Sequence, residues 1–212
     1  NMVVKRKSQG ASSSETYGYL AGGYLVAGEG GAGNYDEISR FQFAASSNAV
    51  DIGDLSHVWK DNPGACSDPG NSYAYVAGGG NHTHIDRYAM ASSASGTDVG
   101  DTTAARGWLT GHSSDTYGYT GASGPGGPDA SNNRIDKFAF SSSTTSTNIG
   151  NMVVPAYDAT GVSSTTYGYI AGGWHSSTNI IEKFSFTTDG NSTDVGDLTV
   201  GITYLGSVGS QY

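Results

Sequence analysis

The chain has 212 residues, ten Lys and Arg against nineteen Asp and Glu, and a formal net charge of −9. With Lys5-Arg6-Lys7 as its only basic cluster it lacks the basic stripe that phosphate binding needs, so no nucleic-acid partner is expected, and no apolar run is long enough to span a bilayer, so no membrane partner is expected either. Cys66 is the only cysteine, which excludes an intrachain disulfide and points to a buried, inert thiol, while 33 Gly among abundant Ser, Thr and Asn, with no apolar period of 3.6, exclude a helical protein.

In chain order, Asn1-Met2-Val3-Val4 comes first and is repeated at Asn151-Met152-Val153-Val154, so the chain is expected to open inside a fourth strand. Tyr17–Gly23 then carries Tyr-Gly-Tyr-x-Ala-Gly-Gly, which returns at Tyr73–Gly79 (with Ala74), Tyr117–Ser123 and Tyr167–Gly173. Ile-x-Arg/Lys-aromatic follows at Ile38, Ile85, Ile135 and Ile181, and Asp/Asn-Ile/Val-Gly at Asp51, Asp98, Asn148 and Asp194. The second motif precedes the third by 13 residues in every copy. Such a period marks units that stack to share a core.

The last copy shows the unit. Residues 157–164 read as a first strand and Tyr167–Gly173 as a second, in which Tyr167, Tyr169 and Ala171 share a face. Gly168 and Gly172 fall on the other face, where a neighbouring sheet is expected to approach. Residues 180–186 read as a third strand, with Phe184 and Phe186 pointing the same way, and 194–200 as a fourth. The fold class is therefore all-β: a β-propeller of four-stranded antiparallel blades, about four of them, within a single repeat domain. The repeats are approximately 5–55, 56–103, 104–152 and 153–200, with 1–4 and 201–212 as a partial blade. Residues 206–212 align with 161–167, so a segment of a larger array, or a ring completed by another copy, is favoured over a sealed four-bladed monomer.

On these residues the chain resembles the kelch repeat. Gly22-Gly23, Gly78-Gly79 and Gly172-Gly173 match the doublet that ends a kelch second strand, and Phe41, Tyr88, Phe138 and Phe184 match the aromatic of the third. The chain departs from the pattern at Ala122-Ser123, which replace the doublet, and in lacking the fourth-strand tryptophan. The Ser/Thr/Asn-rich repeats are also similar in style to marine phage structural proteins. That resemblance implies a virion or tail-fibre component, hence a virion or extracellular location.

The loops that vary in length, between strands two and three and from strand four to the next strand one, are expected on one rim of the disc. Trp59, Trp108 and Trp174 map towards it, with Tyr24 and Tyr35 in the long loop of the first copy. These five are the candidate ligand-binding residues, through sugar stacking or protein contact; packing between blades is the other reading of the tryptophans. His82 and His84 have metal-like spacing without an identifiable third ligand, and are read as solvated. Asp-x-Gly suits calcium or turns; its recurrence in every copy favours a turn. Ser192-Thr-Asp194-Val-Gly196 partly resembles the structural Asp-box of sialidase-type propellers. Asn81 and Asn191 open formal glycosylation sequons, meaningful only in a eukaryotic secretory pathway. Arg40, Arg87, Lys137 and Lys183 read as surface charges paired with neighbouring acids or as bridges between blades. Lys5-Arg6-Lys7 reads as a strand end.

A galactose-oxidase-like copper site would need a Cys–Tyr cross-link and a histidine set that do not accompany Cys66, and no nucleophile–base pair is legible. No enzyme, cofactor or metal is expected. The expected function is non-catalytic display of a surface to a glycan or protein ligand. Self-association as a purely structural building block is the alternative.

Overall fold

The computed structural model describes residues 5–25, 33–58, 62–70, 73–80, 82–124, 133–141, 143–174 and 179–203. Trp59, Asn81 and the terminal residues 1–4 and 206–212, on which readings above rest, lie outside them. The strands run β1 (Arg6–Lys7), β2 (Gly10–Ser13), β3 (Tyr17–Ala21), β4 (Tyr24–Leu25), β5 (Gly33–Asn34), β6 (Glu37–Gln42) and β7 (Val50–Asp54). They continue as β8 (Gly64–Ser67), β9 (Tyr73–Ala77), β10 (His84–Ala89) and β11 (Thr97–Asp101), then β12 (Thr110–Ser113), β13 (Tyr117–Gly121), β14 (Arg134–Ala139) and β15 (Thr147–Asn151). The last four are β16 (Thr160–Ser163), β17 (Tyr167–Ala171), β18 (Ile180–Ser185) and β19 (Thr193–Asp197). No helix occurs among the described residues. Four antiparallel meanders result: sheet 1 (β2-β3-β6-β7), sheet 2 (β8 to β11), sheet 3 (β12 to β15) and sheet 4 (β16 to β19), with a small sheet β1-β4-β5 beside the first.

Each motif has a local job. The first builds the second strand, entered by a tight hairpin in which Ser14 Oγ accepts the Tyr17 N–H at 3.1 Å; Ser114 and Ser164 repeat this with Tyr117 and Tyr167. The third motif sits opposite a register shift that every sheet shows just after the isoleucine of the second motif. There the Asp51, Asp98 and Asp194 carboxylates each accept the N–H of the glycine two residues on, at 2.9–3.1 Å. Gly53, Gly100 and Gly196 hold φ between 143° and 153°, which a side chain resists. Asp-x-Gly is thus a self-bonded bulge.

The sheets stack in sequence, β2 against β8, β8 against β12 and β12 against β16. Each joint repeats the same contacts. The second-strand tyrosines Tyr19, Tyr75 and Tyr119 are buried, and each is covered by the next sheet. Tyr19 Oη donates to the Met90 carbonyl at 2.6 Å, the Tyr75 ring lies 5.0 Å from Phe140, and Tyr119 stacks on Phe186 at 4.6 Å. The hairpin between the third and fourth strands of sheets 2, 3 and 4 hydrogen-bonds the fourth strand of the sheet before it, from Gly96 N to Asp54 O, Ser146 N to Asp101 O and Ser192 N to Asn151 O, at 2.7–3.0 Å.

A buried carboxylate fastens three of the connections. Asp86 accepts the Ser56 N–H and hydroxyl (2.7 and 2.6 Å), and Glu182 accepts the N–H groups of Val153 and Val154 (2.9 and 2.8 Å) and the Ser192 hydroxyl. Asp136 accepts the Thr103 hydroxyl at 2.5 Å and Arg106 Nη2 at 2.6 Å. In each case the connector donors lead from the fourth strand of one sheet and the acid belongs to the third strand of the next; Ser192 alone among these donors lies in the acid's own sheet. Sheet 1 places Ser39 there instead, held by Arg6 Nη2 at 2.7 Å and donating to Glu37 at 2.5 Å.

Several readings are corrected by this packing. The fourth strand ends at Asp197 and β15 at Asn151, so Met152–Val154 is connector, because the Val153 and Val154 N–H groups serve Glu182 rather than a ladder. The first strand starts at Thr160, not 157. Gly168 yields to Phe184 of its own sheet, whose ring lies across it; Gly18 and Gly118 do the same under Phe41 and Phe138. Arg40, Arg87, Lys137 and Lys183 lie over Tyr17, Tyr73, Tyr117 and Tyr167 at 4.3–5.1 Å, while Asp86, Asp136 and Glu182 face the buried joint; Lys137 also bridges to Asp189 of the next sheet at 2.6 Å, as the second reading of these charges expects. Arg6, in the strand β1, is buried against Glu37 and Ser39. Cys66 is buried and free, and burial pushes its thiol up from its ordinary range.

His112 is fully enclosed in the joint between sheets 3 and 4. Its Nδ1–H donates to the Val162 carbonyl at 3.2 Å, Nε2 faces Thr110 Oγ1 at 3.0 Å, and its ring meets Phe184 edge-on. Burial pulls its pKa from 6.5 to about 4, partly opposed by the Val162 bond. The folded value lies below the unfolded one, so its full contribution is present above pH 6.5 and is lost as pH falls towards about 4. Across that window the native chain should lose about 3 kcal/mol more stability than His112→Leu, measured by urea denaturation at each pH. Equal slopes would show that His112 takes up its proton without opening the joint.

Candidate functional site on the loop edge

The connectors between sheets and the loops joining second and third strands meet on one edge, as the loop lengths suggested. Gly79 N donates to Arg106 O, Ser123 N to Ala156 O and Gly173 N to Ile202 O, at 2.9–3.0 Å, each loop thereby bonded to the connector leaving its sheet. The doublets allow this because Gly22, Gly78 and Gly172 take φ of 63–66°, followed by φ of 95–108° at the second glycine. Ala122 adopts φ 61° in the third copy despite its methyl group.

Two of the candidate tryptophans are brought together on this edge by a residue the sequence did not single out. Tyr157 bridges backbone to backbone with Trp174, and its ring lies 6.3 Å from Trp174 and 6.5 Å from Trp108. The three rings form a strip across sheets 3 and 4. Trp174 is 48% exposed and Trp108 half-buried. Trp108 lies over Gly124, where even a methyl group would strike the indole.

The backbone under Trp108 is informative. Two residues before the first strand of each of the four sheets the backbone takes a left-handed turn: Ser8 (φ 62°), Asn62 (50°), Trp108 (56°) and Asp158 (53°). Ser, Asn and Asp suit that conformation, whereas a bulky side chain resists it at about 1–3 kcal/mol. Tyr24 occupies in sheet 1 the place of Trp174, next after the doublet, with Lys7 Nζ over its ring at 5.6 Å. Tyr35 stands apart from the strip, with Arg6 at 5.5 Å from its ring and its hydroxyl donating to Glu37 at 3.3 Å. It therefore supports the buried Arg6–Glu37 pair.

The histidines gain partners that sequence spacing hid. His57, from the connector, stacks on His84 at 3.7 Å with the planes 5° apart, and His84 Nδ1 lies 3.0 Å from Asp98. His57, His84 and Asp98 bring three ligand-type atoms together. Parallel rings aim their in-plane lone pairs side by side rather than at one point, so this arrangement is a stack braced by a carboxylate. His82 lies further off, 6.1 Å from His84.

No protein-family model matches the chain, and no curated protein sequence matches it.

Proposed function

We propose that the protein is a non-catalytic display scaffold, a kelch-like β-propeller array whose loop edge binds a glycan or protein segment along Trp108, Tyr157 and Trp174. The observation that carries this reading is Trp108, an indole kept in a left-handed turn that the other three sheets give to Ser, Asn or Asp. Strain retained at one copy, in an aromatic row that ends in the exposed Trp174, is what a ligand contact accounts for and a repeated scaffold does not. Flat aromatic faces suit sugar rings, and they lose little freedom on binding. The style of the repeats supports placing the scaffold in a virion or an extracellular assembly.

The reading predicts a separation of binding from stability. Trp174→Ala should weaken glycan binding, found on an array and measured by calorimetry, by about tenfold or more. Trp108→Asn should weaken it similarly while leaving stability within about 1 kcal/mol, because relief of backbone strain offsets lost ring contacts. Unchanged binding in both variants would remove the strip from the site.

A further inference from the structure

Sheets 1 and 4 carry the two halves of a joint that the chain already makes three times over. On sheet 4, Val195 stands where Ile52 and Val99 are buried, yet it is 46% exposed. Val162 stands where Ser12, Cys66 and His112 are buried against the third-strand aromatics Tyr88, Phe138 and Phe184, yet it is 50% exposed. An added Cβ at Gly53, Gly100 or Gly150 would meet the hairpin of the following sheet, at Ala94-Ser95, Thr144 and Gly190-Asn191; at Gly196 it would meet nothing within 4 Å.

Sheet 1 carries the converse. Phe43 stands where Met90, Phe140 and Phe186 cover the tyrosine of the preceding sheet, and it is 54% exposed. Phe41 is only partly buried, where Tyr88, Phe138 and Phe184 are enclosed. Residues 43–48 of its hairpin are exposed throughout. Position by position, Phe43 has the aromatic role that Tyr169 lacks a partner for, Phe41 fits under Val162, and Ala49 N corresponds to the Gly96, Ser146 and Ser192 N–H groups that bond the strand before them.

We propose that sheet 4 binds sheet 1 of a second copy of this chain, head to tail, by the contacts that join consecutive sheets within it. The interface is heterologous, so it extends into a filament or closes into a ring of copies. It differs from the internal joints at one point. Ser39 replaces the acid that would fasten Thr199 as Asp86 fastens Ser56, and Ser39 is already engaged by Arg6 and Glu37. The contact between copies is therefore weaker than the joints within a copy, and reversible. Nothing in it depends on the aromatic strip.

Sedimentation velocity across a wide concentration range tests it. The native chain should grow from monomer to larger species with concentration. Val195→Glu and Phe43→Glu, each at an exposed position and each checked by thermal melting, should abolish growth separately. Mixed in equal amounts, each still offers one intact half, so they should form a one-to-one dimer that grows no further. A native chain that stays monomeric at all concentrations overturns the proposal. Single variants that still associate, or a mixture that stays monomeric, overturn it as well.

Discussion

Replacing Arg106 by Met should cost about 3–5 kcal/mol of unfolding free energy, measured by urea denaturation at neutral pH. The guanidinium is buried, with Nη2 2.6 Å from Asp136 Oδ2 and Nη1 bonded to the Arg134 and Ala122 carbonyls at 3.2 and 3.4 Å. Burial pulls the Arg106 pKa below its ordinary value while Asp136 pushes it back up, so the pair is held between desolvation and attraction. Removing the cation leaves a fully buried carboxylate with only the Thr103 hydroxyl and N–H and the Asn148 amide. Those bonds do not neutralise it. Asp136→Leu should be of comparable cost, since it strands the guanidinium. The double variant Arg106→Met with Asp136→Leu should cost clearly less than the two singles added, because neither charge then remains. A single-variant cost under about 1 kcal/mol would mean that water reaches the pair and that it does not fasten sheets 2 and 3.

The pair also shows where sequence reading stops. Ile135-Asp136-Lys137 was legible as a recurring strand, and the period placed it in the third strand of its sheet. The alternation that puts Lys137 over Tyr117 puts Asp136 on the opposite face, but whether that face meets water or another sheet depends on packing between repeats. A charged residue is normally solvated, so a surface pair was the natural expectation, and only Arg106, 30 residues away, makes burial tolerable. Arg6 was hidden for the same reason. The triplet Lys5-Arg6-Lys7 reads as a basic cluster until Glu37 and Ser39 are seen around its middle member.

The candidate site was legible in part. Loop lengths assigned Trp108 and Trp174 to one edge, and the loop-to-connector bonds of Gly79, Ser123 and Gly173 follow from the glycine doublets that the period revealed. Tyr157 could not be found, because it lay in what the pattern read as a first strand rather than in the connector that bridges to Trp174. Nor could the left-handed turn under Trp108, whose signal was present but faint: Ser8, Asn62 and Asp158 precede the first strand at matching positions, and Trp108 is the member that breaks the series. His57 and His84 are 27 residues apart in sequence, and only the stacking of sheet 2 on sheet 1 makes them neighbours.

Gly111→Ala should be among the most damaging small substitutions at the described positions, at about 3 kcal/mol or more, or sufficient to prevent folding. Gly111 lies in β12, and its added methyl group would collide with the Ala65 backbone of β8, the carbonyl and amide together. Backbone cannot rotate away as a side-chain tip can, so sheets 2 and 3 would have to separate along their closest approach. Separation would uncover Cys66 and loosen Phe138, since both lie in the cluster that spans that joint. The comparison that isolates this cause uses two glycines with nearly equal backbone angles, Gly100 (φ 152°) and Gly196 (φ 153°). Alanine at either position meets the same conformational resistance, about 1–3 kcal/mol. At Gly100 the methyl group would also strike the Thr144 carbonyl of the next hairpin, whereas at Gly196 it meets open space within the chain. Gly100→Ala should therefore be less stable than Gly196→Ala by at least 2 kcal/mol in urea denaturation at a concentration where the chain is monomeric. Equal costs would show that the bulge conformation alone requires glycine, and that the sheets have room to part.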